Sequence, residues 1–302
     1  MTSANAHPPT RLALFVAFAI IYVVWGSTYL AIRFAIETLP PFLMAGGRFL
    51  VAGAALYAWA RIFGGAPRPT AAQWRETAIV GILLLLAGNG LVVWAEQRVP
   101  SGIAALVIGI VPCFMVLLDW LRPGGVRPTP RVAAGLVLGL AGLMWLVGPD
   151  AVMGGGRVDF LGAAALVLAS LTWAVGSIYS RHVPMPSPFL SSGMQMLTAS
   201  ASLLLLGVAF GEPWAFDAAA VTQRSVFGWV YLIVFGSIIG FSAYIWLLRV
   251  STPARVSTYA YVNPVVAVFL GWLLADEPLT ARTMVAAAVI VSGVVLITLT
   301  RK

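Results

Sequence analysis

The sequence predicts an all-helical, polytopic membrane protein of ten transmembrane helices, arranged as two five-helix repeats of opposite orientation. Three observations carry this expectation: a composition too apolar for water, ten long stretches almost free of charge, and residue intervals that recur in both halves.

Of 302 residues, 61% are hydrophobic and only 9% are charged, whereas a soluble domain carries roughly a quarter of charged residues. Lipid must therefore cover much of the surface. The net charge of +8 comes from arginines scattered singly through short breaks between apolar runs, so it reads as topogenic and no nucleic-acid partner is expected. Cys113 is the single cysteine and lies in an apolar run, while His7 and His182 fall outside the apolar spans. No metal set, cofactor site or buried catalytic triad is therefore expected, and the chain does not read as an enzyme.

A membrane helix needs about 20 apolar residues to cross the hydrocarbon layer. Uncharged stretches over 12–32, 77–95, 99–118, 132–149, 160–180, 226–248, 256–275 and 283–300 supply eight spans. Two more run over 189–210 and over 42–60, the latter with Arg48 inside it. The stretch over 12–32 is too long for a signal-peptide core and is expected to remain as the first span. Arginine and lysine near the span ends divide 12 to 5 between the two sides, which puts both termini in the cytoplasm.

Trp94, Pro112 and Trp120 are separated by 18 and 8 residues, and Trp246, Pro264 and Trp272 repeat both intervals. Gly26-Ser27-Thr28-Tyr29 before Arg33 is echoed by Gly176-Ser177-Ile178-Tyr179 before Arg181, and Pro-Phe-Leu follows each, at Pro41 and at Pro188. The repeats are expected over 12–148 and 160–300. An odd number of spans per repeat makes the second copy enter the membrane from the opposite side, the usual construction of secondary transporters.

The segments VVWGSTYLAIRFA, GGRFLVAG, WAEQRVPSGIAALVIGIVP and YAYVNPVVAVFLGWLLADEPLT resemble the EamA family of the drug/metabolite transporter superfamily, nearest its PecM/YedA-like branch of bacterial exporters. The resemblance covers essentially the whole chain. It implies a multi-pass protein of the bacterial inner membrane that exports small metabolites such as amino acids, with spans 1, 3, 4, 6, 8 and 9 around the pathway. The partners would be a small-molecule substrate and the bilayer, with the protein a monomer or homodimer.

Candidate site residues follow from what lipid tolerates. Pro112 and Pro264 fall near the midplane, where each frees a carbonyl that protein or a watery cavity must satisfy; the alternative is a packing kink. Asn263 adds an amide beside Pro264. Arg48 is a charge inside a span, at an insertion cost of roughly 2.5–3.5 kcal/mol if central. It either contacts a substrate carboxylate, closes an outer gate, or forms a fixed ion pair with Glu96. Asn89 supplies another amide and Trp94 is a further substrate-binding candidate, while Trp25, Tyr29, Tyr179, Tyr244, Trp246 and Tyr259 are candidates for an aromatic cavity, against the reading that each packs a core or an interfacial belt. Gly135, Gly139 and Gly142 form a small-residue face expected to pack closely on another helix. A passive channel, a membrane-embedded enzyme or a scaffold are the competing functions, and no enzyme motif is present to support the second.

Overall fold

The computed structural model describes residues 9–99, 101–153, 159–275 and 280–299, and no strand occurs among them. The principal helices are α1 (Arg11–Ile36), α2 (Pro41–Ile62), α3 (Ala71–Ala95), α4 (Ser101–Ile108), α5 (Val111–Leu121), α6 (Pro130–Met153), α7 (Phe160–Ser180), α8 (Pro188–Ala209), α9 (Gln223–Val250), α10 (Tyr259–Ala275) and α11 (Ala281–Thr298). Eight of the described helices are long and apolar enough to cross a membrane, and the shorter stretch Leu106–Leu121 is also apolar. Arg157, Arg301 and Lys302, which enter the charge count, lie outside the described residues.

The helix starts follow capping chemistry. Thr10, Thr70, Thr222 and Thr280 each accept a hydrogen bond from the backbone of the first turn they precede, and Gln73 completes a reciprocal box with Thr70. Asp159 caps α7 through the Gly162 N–H at 2.7 Å; that bond, helped by Arg98, holds its carboxyl below the usual carboxylate range. At α2, Pro40 and Pro41 offer no capping side chain, so a carboxylate from a distant loop serves instead. Glu212 accepts from the Phe42 N–H at 3.0 Å and the Leu43 N–H at 2.8 Å, placing negative charge at the positive end of the helix dipole.

One span departs from the expectation of a continuous helix. The fourth is interrupted after Ile108, and Pro112 stands in the first turn of α5, where its missing N–H has no carbonyl to bond in any case. Pro264, by contrast, lies inside an unbroken α10. Both α3 and α9 contain a π-helical stretch, Ile82–Gly90 and Leu232–Phe241. The two stretches occupy matching places, since Gly88 precedes Trp94 by the same interval as Gly240 precedes Trp246.

The two halves touch most extensively through corresponding helices: α2 against α8, each opening on Pro-Phe-Leu, and α6 against α11. Glycine permits the approach. A Cβ at Gly193 would sit 2.7 Å from the Tyr57 nitrogen and 3.0 Å from the Gly53 carbonyl, and one at Gly135 would meet the Gly293 carbonyl at 2.7 Å. Gly139 and Gly142 lie on the same face as Gly135, and a Cβ at Gly142 would meet Ile290 of α11 at 2.8 Å. This is the close packing expected of that face.

Four ion pairs among the described residues each join groups that the sequence assigns to a single side: Arg75–Glu76 and Arg122–Asp119 on one, Arg98–Asp159 and Arg224–Glu37 on the other. Gly193→Val should force α2 and α8 apart, at about 1–3 kcal/mol by the usual cost of overpacking. The expected result is a lower melting temperature and less monodisperse protein on size exclusion in detergent, whereas Gly65→Ala, strained by about 1–2 kcal/mol at φ +59° but with open space around it, should keep the helices in contact and the elution profile unchanged.

Candidate functional site

A cavity lies between the two halves, with an empty volume of about 790 Å³ including its mouth. Helical spacing builds its walls. Trp25, Thr28, Tyr29 and Ile32 of α1 and Leu85, Gly88, Asn89 and Val92 of α3 line it, each set following the i, i+3, i+4, i+7 pattern of one helix face. Ala169, Ser170 and Trp173 of α7, Gly236 and Phe241 of α9, and Tyr259 and Asn263 of α10 complete the opposite side. Ile108 and Val111 line it from either side of the break between α4 and α5. The π-helical stretches of both α3 and α9 border it, as π segments often border functional sites.

The floor is aromatic. Trp25 and Trp173 meet edge to face with centroids 5.7 Å apart, and Tyr259 stands edge-on to Trp25 at 4.9 Å. These tryptophans hold equivalent places, each eight residues before an arginine, Arg33 or Arg181. Tyr244 packs beneath, 5.1 Å from Trp25 and 5.4 Å from Trp173. Its hydroxyl accepts from Trp173 Nε1 at 2.8 Å and lies 2.6 Å from Ser177 Oγ. Trp25 Nε1 donates to the Gly236 carbonyl at 3.2 Å, satisfying a backbone acceptor within the π segment.

The polar groups are few. Arg48 is 5% exposed, stacks on the Phe49 ring at 4.3 Å and donates a long 3.4 Å bond to Asn89 Oδ1. Its Nε is buried without a hydrogen-bond partner, and it forms no ion pair with Glu96. The expectation of a fixed Arg48–Glu96 pair is thus corrected: Glu96 caps the C-terminal end of α3 outside the cavity lining. The Asn263 amide, with its nitrogen turned toward the backbone, donates to the carbonyls of Tyr259, Tyr22 and Ile21 at 3.0, 3.2 and 3.3 Å, which ties α10 to α1.

Of the residues singled out from sequence, the cavity gathers Trp25, Tyr29, Arg48, Asn89, Tyr259 and Asn263. It does not include Trp94, Glu96, Tyr179 or Tyr244. Trp94 carries the Arg98 guanidinium on its ring at 4.7 Å. The Tyr179 hydroxyl donates to Glu76, joining the ends of α7 and α3, and Tyr244 is a fully buried support. Pro112 stays behind the break that Ile108 and Val111 flank, and Pro264 follows the lining residue Asn263. Trp173, Ser170 and Phe241 escaped the sequence reading; the interval from Trp173 to Arg181, equal to that from Trp25 to Arg33, was the available signal for the first.

Tyr244→Phe would leave the Trp173 N–H and the Ser177 hydroxyl short of a buried partner. A loss of about 1–3 kcal/mol is expected, read as a lower melting temperature and a shifted tryptophan emission in detergent.

The EamA-like transporter family model matches the chain over residues 12–148 and again over 160–299. The chain is 40% identical over 290 residues to the Escherichia coli protein named "Uncharacterized inner membrane transporter YedA", covering 95% of this chain and 91% of that one. It is 26% identical to the Escherichia coli protein named "Probable amino-acid metabolite efflux pump", covering 91% of each. A solved crystal structure at 22% identity shares the fold with a TM-score of 0.77, covering 96% of this chain and 98% of that one. With its apolar helices, its central cavity and both halves matched, the chain belongs to the EamA-like transporter family of the drug/metabolite transporter superfamily, as a multi-pass protein of the inner membrane.

Proposed function

We propose that the chain is a secondary transporter that exports small metabolites, such as amino acids or related compounds, by alternating access. In this reading ten spans form two inverted repeats, over 12–148 and 160–300, with both termini in the cytoplasm. The observation that carries it is the cavity itself: both halves wall it, and equivalent tryptophans, Trp25 and Trp173, meet at its floor. Two equivalent halves around a central site can exchange shapes that open to opposite faces. The match to a relative named as an amino-acid metabolite efflux pump supports the substrate class and the direction.

The conformation fits an outward-open state of that cycle. Cavity residues such as Ile32, Arg48 and Val92 lie toward the side assigned to the exterior, and the other end is tied shut. There Tyr22 and Thr258 hydroxyls meet at 2.6 Å, and the Arg181 guanidinium donates to the carbonyls of Leu248 and Ser251. Those bonds join α1, α7, α9 and the turn before α10, elements that must part when the inner side opens. A passive channel would need no such closure.

Cells overproducing the protein should resist toxic amino-acid analogues or other metabolites that it exports, and a panel of such compounds identifies the solute. Tyr259→Ala and Asn263→Ala should reduce that protection by about tenfold, the scale of a lost buried hydrogen bond or ring contact, at unchanged membrane abundance. Undiminished protection in both variants removes these residues from the pathway. Counterflow in proteoliposomes that does not saturate with solute would favour a channel. Tags on the two termini should both be protected from external protease in intact spheroplasts.

A further inference from the structure

The cavity holds one charge, and its sign has no counterpart. Arg48 is 5% exposed, yet among the described lining residues there is no aspartate or glutamate, and the guanidinium forms none of the four ion pairs. Its one hydrogen bond, to Asn89 Oδ1, is 3.4 Å long, and its Nε has no hydrogen-bond partner. A buried cation normally persists beside a partner that offsets its lost hydration. Here the protein supplies a weak amide contact and the Phe49 ring face. The Glu96 carboxyl at the end of α3, whose Oε1 is buried, lies outside the cavity lining and forms no ion pair with Arg48, which leaves the guanidinium open to an offsetting charge on a ligand.

The geometry points to a monoanionic carboxylate with an aromatic or apolar body as the ligand of this cavity, its carboxylate on Arg48 and its body against Trp25, Trp173 and Tyr259. This deepens the transport reading above and rests on it, narrowing its solutes from amino acids to related carboxylates that lack the ammonium group. Three features select the class. A guanidinium presents paired N–H donors in a planar fork that matches the two oxygens of a carboxylate. One arginine neutralises one negative charge, so a phosphate dianion would leave an unbalanced charge in a largely apolar space. The aromatic faces of the floor accept an apolar body, and no acidic side chain among the lining residues is available to an ammonium group.

Three probes with one body and different charge test the assignment: 3-phenylpropanoate, L-phenylalanine and 3-phenylpropylamine. Binding to the purified full chain in detergent is followed by tryptophan fluorescence, since Trp25 and Trp173 line the cavity. The anion should bind tightest and the amine weakest. Arg48→Gln should weaken the anion by about ten- to a hundredfold, the scale of a charge-assisted hydrogen bond, and Arg48→Lys should weaken it less. Asn89→Asp places a carboxylate beside Arg48 within the fold, so it should weaken the anion equally while the protein keeps its melting temperature. That variant carries the test if Arg48→Gln fails to fold. Equal or tighter binding of the zwitterion or the amine overturns the proposal, as does native affinity for the anion in Asn89→Asp. Anion binding without counterflow in proteoliposomes would sustain the ligand class and defeat the transport reading instead.

Discussion

Backbone meets backbone at paired glycines, one from each half, and the rest of the arrangement hangs on that contact. Lipid gives helices no hydrophobic reason to associate, so their packing relies on close complementary surfaces. Gly53 with Gly193, and Gly135 with Gly293, let α2 lie on α8 and α6 on α11 with no side chain between them. These are corresponding helices of the two repeats. Joining like to like at these two places leaves α1, α3, α4, α5, α7, α9 and α10, with Arg48 and Phe49 of α2, to stand around a space that neither half encloses alone.

Around that space the backbone is irregular in places a membrane would not otherwise tolerate. The fourth span breaks between Ile108 and Val111, α3 and α9 each relax into π-helical turns, and α10 carries Pro264 in its interior. In hydrocarbon an unsatisfied peptide group costs several kcal/mol, so such irregularity survives where protein groups or a cavity receive it. The bond from Trp25 Nε1 to the Gly236 carbonyl is one such reception. The aromatic floor and the irregular helices are thus parts of one solution.

Much of this fold was legible in the sequence because charge is expensive in lipid: eight of the ten stretches coincide with helices long enough to span, while 99–118 falls on the broken α4–α5 and 256–275 on the shorter α10. The π stretches were not legible. Apart from Asn89 and Ser237, Ile82–Gly90 and Leu232–Phe241 are apolar throughout, so periodicity cannot tell a π turn from an α turn there. The site was legible in part. Arg48, Asn89, Tyr29, Tyr259 and Asn263 stood out as polar or aromatic groups at depth, and they share the cavity. Depth along a helix does not give rotation about it, however. That is why Glu96 looked like a partner for Arg48, and why Tyr179 and Tyr244 looked like lining when one joins helix ends and the other supports the floor.

The repeat is strict in its scaffold and broken in its charge. Counting seven residues from Pro41 reaches Arg48, and counting seven from Pro188 reaches Gln195, a fully buried amide bonded to Ser191. The family pattern matches both halves, yet at this pair of positions one carries a cation and the other a neutral amide. In the transport reading proposed above, a solute meets Arg48 toward the outer end of the cavity, whereas at the inner end Arg181 is already spent on the Leu248 and Ser251 carbonyls; an anion would thus be received differently at the two ends, and a direction of travel can be encoded in that difference.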